Sequence, residues 1–136
     1  MKIWIICSKV FYKDIQPIKA KLEEIGHIVE LPNSYDNPSV EKESWSLGDT
    51  EHANFKKKMF KLSKERAKQM DGALVLNFEK NGKENYIGGA TFLEMYEVFM
   101  NNKKIYLYND IPEGMLYDEI CGFSPIVING NLELIK

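Results

Sequence analysis

"KIWIICSKVFYKDIQPIKAKLEEIGHIVELP", Lys2 to Pro32, decides the fold. Its first part, 2–7, is a short and mostly apolar run that reads as a buried strand. Ile15, Ile18, Leu22 and Ile25 then recur at helical spacing. Pro17 fits a helix only in its first turn, which places the helix start near Asp14. Gly26 is a natural stop just past the helix end. "HIVELP" (27–32) is a second strand, closed by Pro32. A strand, a helix and a strand joined by so short an exit read as a βαβ unit, and so as parallel pairing.

The same alternation runs on. Residues 51–70 are helical, with Phe55, Met59, Leu62 and Met70 near one face. "DGALVLN" (71–77) is an apolar third strand. Residues 91–101 form a helix with Phe92, Tyr96 and Phe99 expected inward. "KKIYLYN" (103–109) is a fourth strand, "DIPEGMLYDEI" holds a short helix, and "PIVI" (125–128) is a last strand. The polar stretch 33–50, with Pro38 and Gly48, reads as a long loop of the kind that serves as lid or binding segment. Trp45 within it is either a lid anchor or a plug at the core edge. The expectation is a single α/β domain, 1–136: a doubly wound parallel sheet of about five strands in a flavodoxin-like or Rossmann-like three-layer sandwich. Ligands of such sheets bind where loops leave the carboxyl ends of the strands. Here those loops are 8–13, 33–49, 77–90 and 109–114.

Bulk properties exclude several classes. A net charge of −2 argues against a general nucleic-acid binder. Lys56, Lys57, Lys58, Lys61, Lys64, Arg66 and Lys68 make a tempting basic face, but Glu51 and Glu65 interrupt it and no stacking aromatics alternate with it. A solvated face is the simpler reading, and nothing points specifically to a protein partner. Cys7 and Cys121 are far apart and form no CxxC pair, which fits reduced thiols in a cytoplasmic protein. "IWIIC" is too short for a signal sequence or a membrane span. His27 and His52 are isolated, so no metal site or other cofactor is expected.

The stretch "NYIGGATFLEM" (85–95) carries the functional question. Gly88 and Gly89 before a helix offer free amides to an anion, or simply permit a tight turn. Thr91 and Glu94 spell a capping box. On a helical wheel Glu94 lies opposite Phe92, Met95, Tyr96 and Phe99, and so faces solvent or the helix start rather than the core. A cap and a cleft-facing acid both remain open. Ser8 and Lys9, after the first strand, suit a phosphate or sugar hydroxyl, or form an ordinary polar loop.

Taken together, the Cys-Ser loop after the first strand, the acid opening "DGALVLN", the glycine loop running into a helix with Glu94, and the following "KKIYLYN" resemble the nucleoside 2-deoxyribosyltransferases and the related nucleotide N-glycosidases. The resemblance covers nearly the whole chain, through short motifs. It implies that Glu94 attacks C1′ of a nucleoside or nucleoside 5′-monophosphate and expels the base. It implies that Ser8 and Lys9 hold the sugar or its phosphate, that Gly88 and Gly89 line the pocket, and that the chain forms a homodimer or higher homo-oligomer. A carboxylate nucleophile working through an oxocarbenium-like transition state is sound chemistry for this bond. Two family acids are missing: Ser63 and Gly88 stand at their positions, and the strand-to-helix loop is longer. Asn77, Tyr86 and Asn85 are the side chains left for sugar or base contacts. A nucleotide-binding module without turnover is the alternative.

Overall fold

A computed structural model describes all residues from Met1 to Lys136. Five parallel strands, β1 (Lys2–Ile6), β2 (Ile28–Glu30), β3 (Gly72–Val75), β4 (Lys104–Leu107) and β5 (Ile126–Val127), lie in the order β2-β1-β3-β4-β5. Helices α1 (Ile15–Glu24), α2 (Val40–Ser46), α3 (Asp49–Gln69), α4 (Gly89–Met100) and α5 (Tyr117–Gly122) connect them. This is the doubly wound α/β sandwich expected from the opening βαβ unit.

The burial pattern follows from the topology. Ile3 to Ile6 are all buried, as are Gly72 to Val75, because interior strands of a parallel sheet are covered on both faces. The edge strands β2 and β5 keep exposed positions. Alternation along β1 sends Ile3, Ile5 and Cys7 to one face, where they pack with Ile15, Ile18 and Leu22 of α1 and with Leu132 and Ile135 of the tail. Trp4 and Ile6 point the other way, onto Ala67 of α3, Met95 and Val98 of α4, and Ile120 of α5. A 3-10 turn at Leu132–Leu134 is the last element, on the α1 face.

Local signals act where the sequence placed them. Pro17 sits in the first turn of α1. Gly26, at φ +103°, ends that helix: its N–H donates to the Glu23 carbonyl at 3.0 Å and the His27 N–H to the Leu22 carbonyl at 3.0 Å. These two bonds make a Schellman motif, which needs the left-handed conformation glycine adopts freely.

Three expectations are corrected. The stretch 33–50 is not one loop, since it contains α2 and the start of α3. Trp45 does not plug the core. It is 54% exposed and stacks on His52 at 3.6 Å between ring centroids. In α4 the inward stripe is Thr91, Met95 and Val98, while Tyr96 and Phe99 are exposed. Those aromatics, with Phe92, gather around Phe123 on the outer side of the helix. The wheel was turned because the apolar residues of α4 cover more of its circumference than the sheet can bury.

Candidate active site

The strand order reverses at β1, whose carboxyl end leads one connection toward β2 while β3 leads the other toward β4. The crevice between such diverging connections is the usual ligand site of these sheets. A cavity of about 700 Å³ lies there. Cys7, Ser8, Lys9 and Tyr12 wall it from the β1 side, Asn33 and Ser34 from the end of β2, and Lys56, Met59 and Ser63 from α3. Tyr86 and the first turns of α4, Gly88 to Thr91 and on to Glu94, complete it.

Glu94 is not a cap. The N-cap of α4 is Gly88, whose carbonyl accepts from the Phe92 N–H at 2.9 Å, and no side chain caps this end. Thr91 thus lies inside the first turn and Glu94 in the second, out of capping register. Two glycines before the expected cap let the helix begin early. The amides of Gly89, Ala90 and Thr91 are left at the cavity wall, where a helix start offers donors to an anion.

Of the alternatives left open for Glu94, the cleft-facing acid is the one that fits. The residue keeps partial exposure through the cavity, while the walls remove its carboxyl from bulk water. Burial pushes its pKa from the ordinary 4.5 up to about 8, against the charges of Arg66 and Lys56 and the Ser63 hydroxyl, which all favour the anion. Ser63 accepts from Asn33 Nδ2 at 2.9 Å, so its own proton is free to turn to Glu94. Cys7, beside the same carboxyl, is pushed up to about 12 by burial and by the charges of Glu94 and Asp14. Burial thus favours the neutral thiol over the reactive thiolate. The Tyr12 hydroxyl is raised too, first by burial and then by Cys7, Glu94 and Glu41.

The buried acid has a consequence for stability. Between pH 4.5 and about 8 the folded chain holds the Glu94 proton while the unfolded chain has released it. Stability therefore falls as pH rises through that window. Glu94→Gln has no proton to lose. It is expected to gain on the wild type across that range, by a few kcal/mol at the top. Urea unfolding of both proteins from pH 4 to 9 reads this, and a pH-independent difference would show that the carboxyl is solvated.

The turn before α4 leaves little room for a side chain at Gly88. A Cβ there would meet the Tyr86 hydroxyl at 3.1 Å and its ring at 3.4 Å, so Tyr86 occupies the space a side chain would need. Tyr86 is delivered by a small hairpin in which Lys80 bridges Lys83 around Asn81 and Gly82, both with positive φ. An Asn-Gly pair with that geometry is a type I′ turn. The Lys80 ammonium lies 4.6 Å from the Tyr86 ring centroid, a cation–π contact.

Of the residues singled out in the sequence, Ser8, Lys9, Tyr86, Gly88, Gly89 and Glu94 all line the cavity. Asn77 does not, and its expected contact with substrate is withdrawn. Its amide is fully buried and spent on the backbone of Asn109 and Asp110. Asn85 is also outside the lining. His27 ties the chain ends, standing 3.2 Å from the Met1 amino group and 3.1 Å from the Ile135 carbonyl. His52 pairs with Ser44.

The sequence reading did not name Glu41 or Lys56 as site residues, and it took Ser63 only as the place of a missing acid. Glu41 of α2 bridges Lys9 and Lys56, each at 2.9 Å, and these pairs hold its pKa down although burial alone would raise it. The signal was the length of α3. A helix of 21 residues is about 30 Å long, far more than a four-residue strand needs for its return, so its first half overhangs the strand ends. No group of three His, Cys, Asp or Glu side chains is placed to hold a metal ion, and no helix is long and apolar enough to cross a membrane. No family model, curated protein or solved structure matches this chain.

Proposed function

We propose that the protein cleaves or exchanges the N-glycosidic bond of a nucleoside or nucleoside 5′-monophosphate, with Glu94 as nucleophile. The observation that carries this reading is the desolvated Glu94 carboxyl at the switch-point cavity, among Ser8, Tyr86 and the amides of the Gly88–Gly89 turn. The cavity volume, about 700 Å³, suits a small ligand such as a nucleotide. In the first step a Glu94 oxygen bonds C1′ as the bond to the base nitrogen breaks, and the base leaves with the electron pair and takes up a proton. Water, or a second base, then displaces the carboxylate from C1′. Incubation with a panel of nucleosides and 5′-monophosphates, read as free base by chromatography, tests it. Release of no base from any member would sink the proposal.

The raised pKa sets a pH profile. A nucleophile must be ionised, and one unit below its pKa only about one-tenth of an acid is. Turnover limited by Glu94 is expected to climb with pH and level off above about 8 in the free protein. A rate that falls over pH 6–8 would make Glu94 a proton donor instead.

The second reading is a nucleotide-binding module without turnover. One observation favours it: Glu41, another cavity carboxylate, is committed to two lysines. The resemblance adds that Ser63 takes the place of an acid. Under it, calorimetry shows nucleotide binding that Glu94→Gln leaves nearly unchanged, and no base is released.

We also infer a homodimer through the outer face of α4. Leu93, Tyr96, Phe99 and Met100 are each at least 40% exposed, and Phe60 of α3 adds to them. Leu93, Tyr96 and Phe60 also border the cavity, so a second copy covering them would wall its mouth. Apolar clusters of this kind on a folded surface mark interfaces. Phe99→Glu is expected to halve the mass seen by sedimentation equilibrium. A wild-type monomer at high concentration would remove the inference.

A further inference from the structure

Glu41 sits where a ligand anion would be held. One of its carboxylate oxygens is 2.9 Å from the Lys9 ammonium, and the other is 2.9 Å from the Lys56 ammonium. The two lysines come from separate elements, the turn after β1 and the helix α3, and both line the cavity. Two cations facing one pair of oxygens match the oxygens of a phosphate monoester as well as those of a carboxylate.

The segment that brings Glu41 there is weakly attached. Within α2 only Ser44 is buried, while Trp45 and Leu47 are exposed. Ser44 bonds His52 at 3.0 Å, and Trp45 stacks on the same ring, so these contacts fix the far end of α2 to α3. At the near end, Ser39 bonds only Asn37 and Glu43 of its own segment. The two bridges of Glu41 are thus the polar contacts that fasten the front of α2 across the cavity mouth. Partly exposed ion pairs of this kind are each weak and are readily exchanged.

We propose that Lys9 and Lys56 form an anion subsite which, in the free protein, is filled by Glu41, so that α2 is a strap released when the phosphate of a ligand takes the place of that carboxylate. The proposal goes beyond the chemistry assigned to Glu94 and does not depend on it. A dianionic phosphate competes well with a monoanionic carboxylate for two ammonium groups. A neutral sugar makes no such exchange and leaves the strap closed. The apparent affinity of the free protein for phosphate is therefore reduced by the fraction of molecules in which Glu41 is seated.

The test uses the whole chain, with inorganic phosphate and ribose 5-phosphate as probes and ribose as control, at constant ionic strength. Glu41→Gln keeps the side chain's shape and removes the competing charge. It is expected to bind both phosphates about three- to tenfold more tightly by calorimetry, with ribose unchanged. Lys56→Met, which removes half of the subsite, is expected to bind them at least as many times more weakly. Hydrogen exchange of 39–46 in the wild type is expected to quicken on adding phosphate, and to be fast in Glu41→Gln from the start. The proposal is overturned if Glu41→Gln binds phosphate no more tightly than the wild type, or if phosphate leaves exchange in 39–46 unchanged. None of these readings requires turnover, so a protein without glycosidase activity can still pass or fail them.

Discussion

Glu94→Gln is expected to lower base release at least about a thousandfold while leaving nucleotide affinity within a fewfold of the wild type. The substitution keeps the volume and the hydrogen-bonding length of the side chain. It removes the charge that forms the bond to C1′, and an amide oxygen is a far weaker nucleophile. The fold is not at risk, because burial makes the charged form of Glu94 costly and the amide is neutral at every pH. This separates the two readings cleanly. A nucleophile loses its rate and keeps its binding, whereas a wall residue of a binding module has no rate to lose. A variant that keeps full activity would assign the chemistry to another group. Lost activity with unfolding would be exposed by the urea curves, in which the variant is expected to stand above the wild type near pH 8.

The second large effect falls on stability. Asn77→Ala is expected to cost about 3 kcal/mol, read as a lowered urea midpoint at unchanged slope. Asn77 Nδ2 donates to the Asn109 carbonyl at 3.0 Å and to the Asp110 carbonyl at 2.9 Å, and its Oδ1 accepts from the Asn109 N–H at 2.8 Å. Asn109 Nδ2 returns a bond to the Asn77 carbonyl at 3.1 Å. This reciprocal pair clamps the chain where it leaves β3 to the chain where it leaves β4. Alanine strips three part-buried backbone groups, two of Asn109 and one of Asp110, of the partner that the fully buried Asn77 supplies. Asn77→Asp is expected to fare no better, since it keeps the acceptor and turns two donor contacts into repulsions. A loss below about 1 kcal/mol would mean that water or a neighbour takes over these bonds.

These two residues also show what the sequence makes legible. The parallel sheet followed from the first 32 residues, because the spacing of Ile15, Ile18 and Leu22, the early Pro17 and the closing Gly26 all agree on one helix between two strands. The cavity's place followed from the same topology, and six of the eight site residues named from sequence line it, Asn77 and Asn85 being the exceptions. Asn77 failed because a polar residue ending a buried strand looks the same whether it greets a ligand or locks two strand ends together. Only the approach of β4, 32 positions away in sequence, decides. The capping reading of Glu94 failed because helix starts are set by where the backbone first turns, and Gly88 allowed that three residues before Thr91. Glu41 was invisible, and Ser63 stood out only as a missing acid, because neither sits in a local pattern. Each matters only through partners brought near by the fold, Lys9 and Lys56 for one, Asn33 and Glu94 for the other.

The stack of Trp45 on His52 gives the molecule an optical signal of its own. The chain has two tryptophans. Trp4 is sealed in the core, among side chains that do not include those of α2. Trp45 rides on α2 with one face against an imidazole at 3.6 Å and more than half of its surface in water. Fluorescence excited in the indole band is therefore the sum of a steady, blue-shifted emitter and one whose yield depends on contact with a ring that quenches when protonated. Any shift of α2 on α3 changes the second emitter alone, so motion of this segment can be followed in real time without a label.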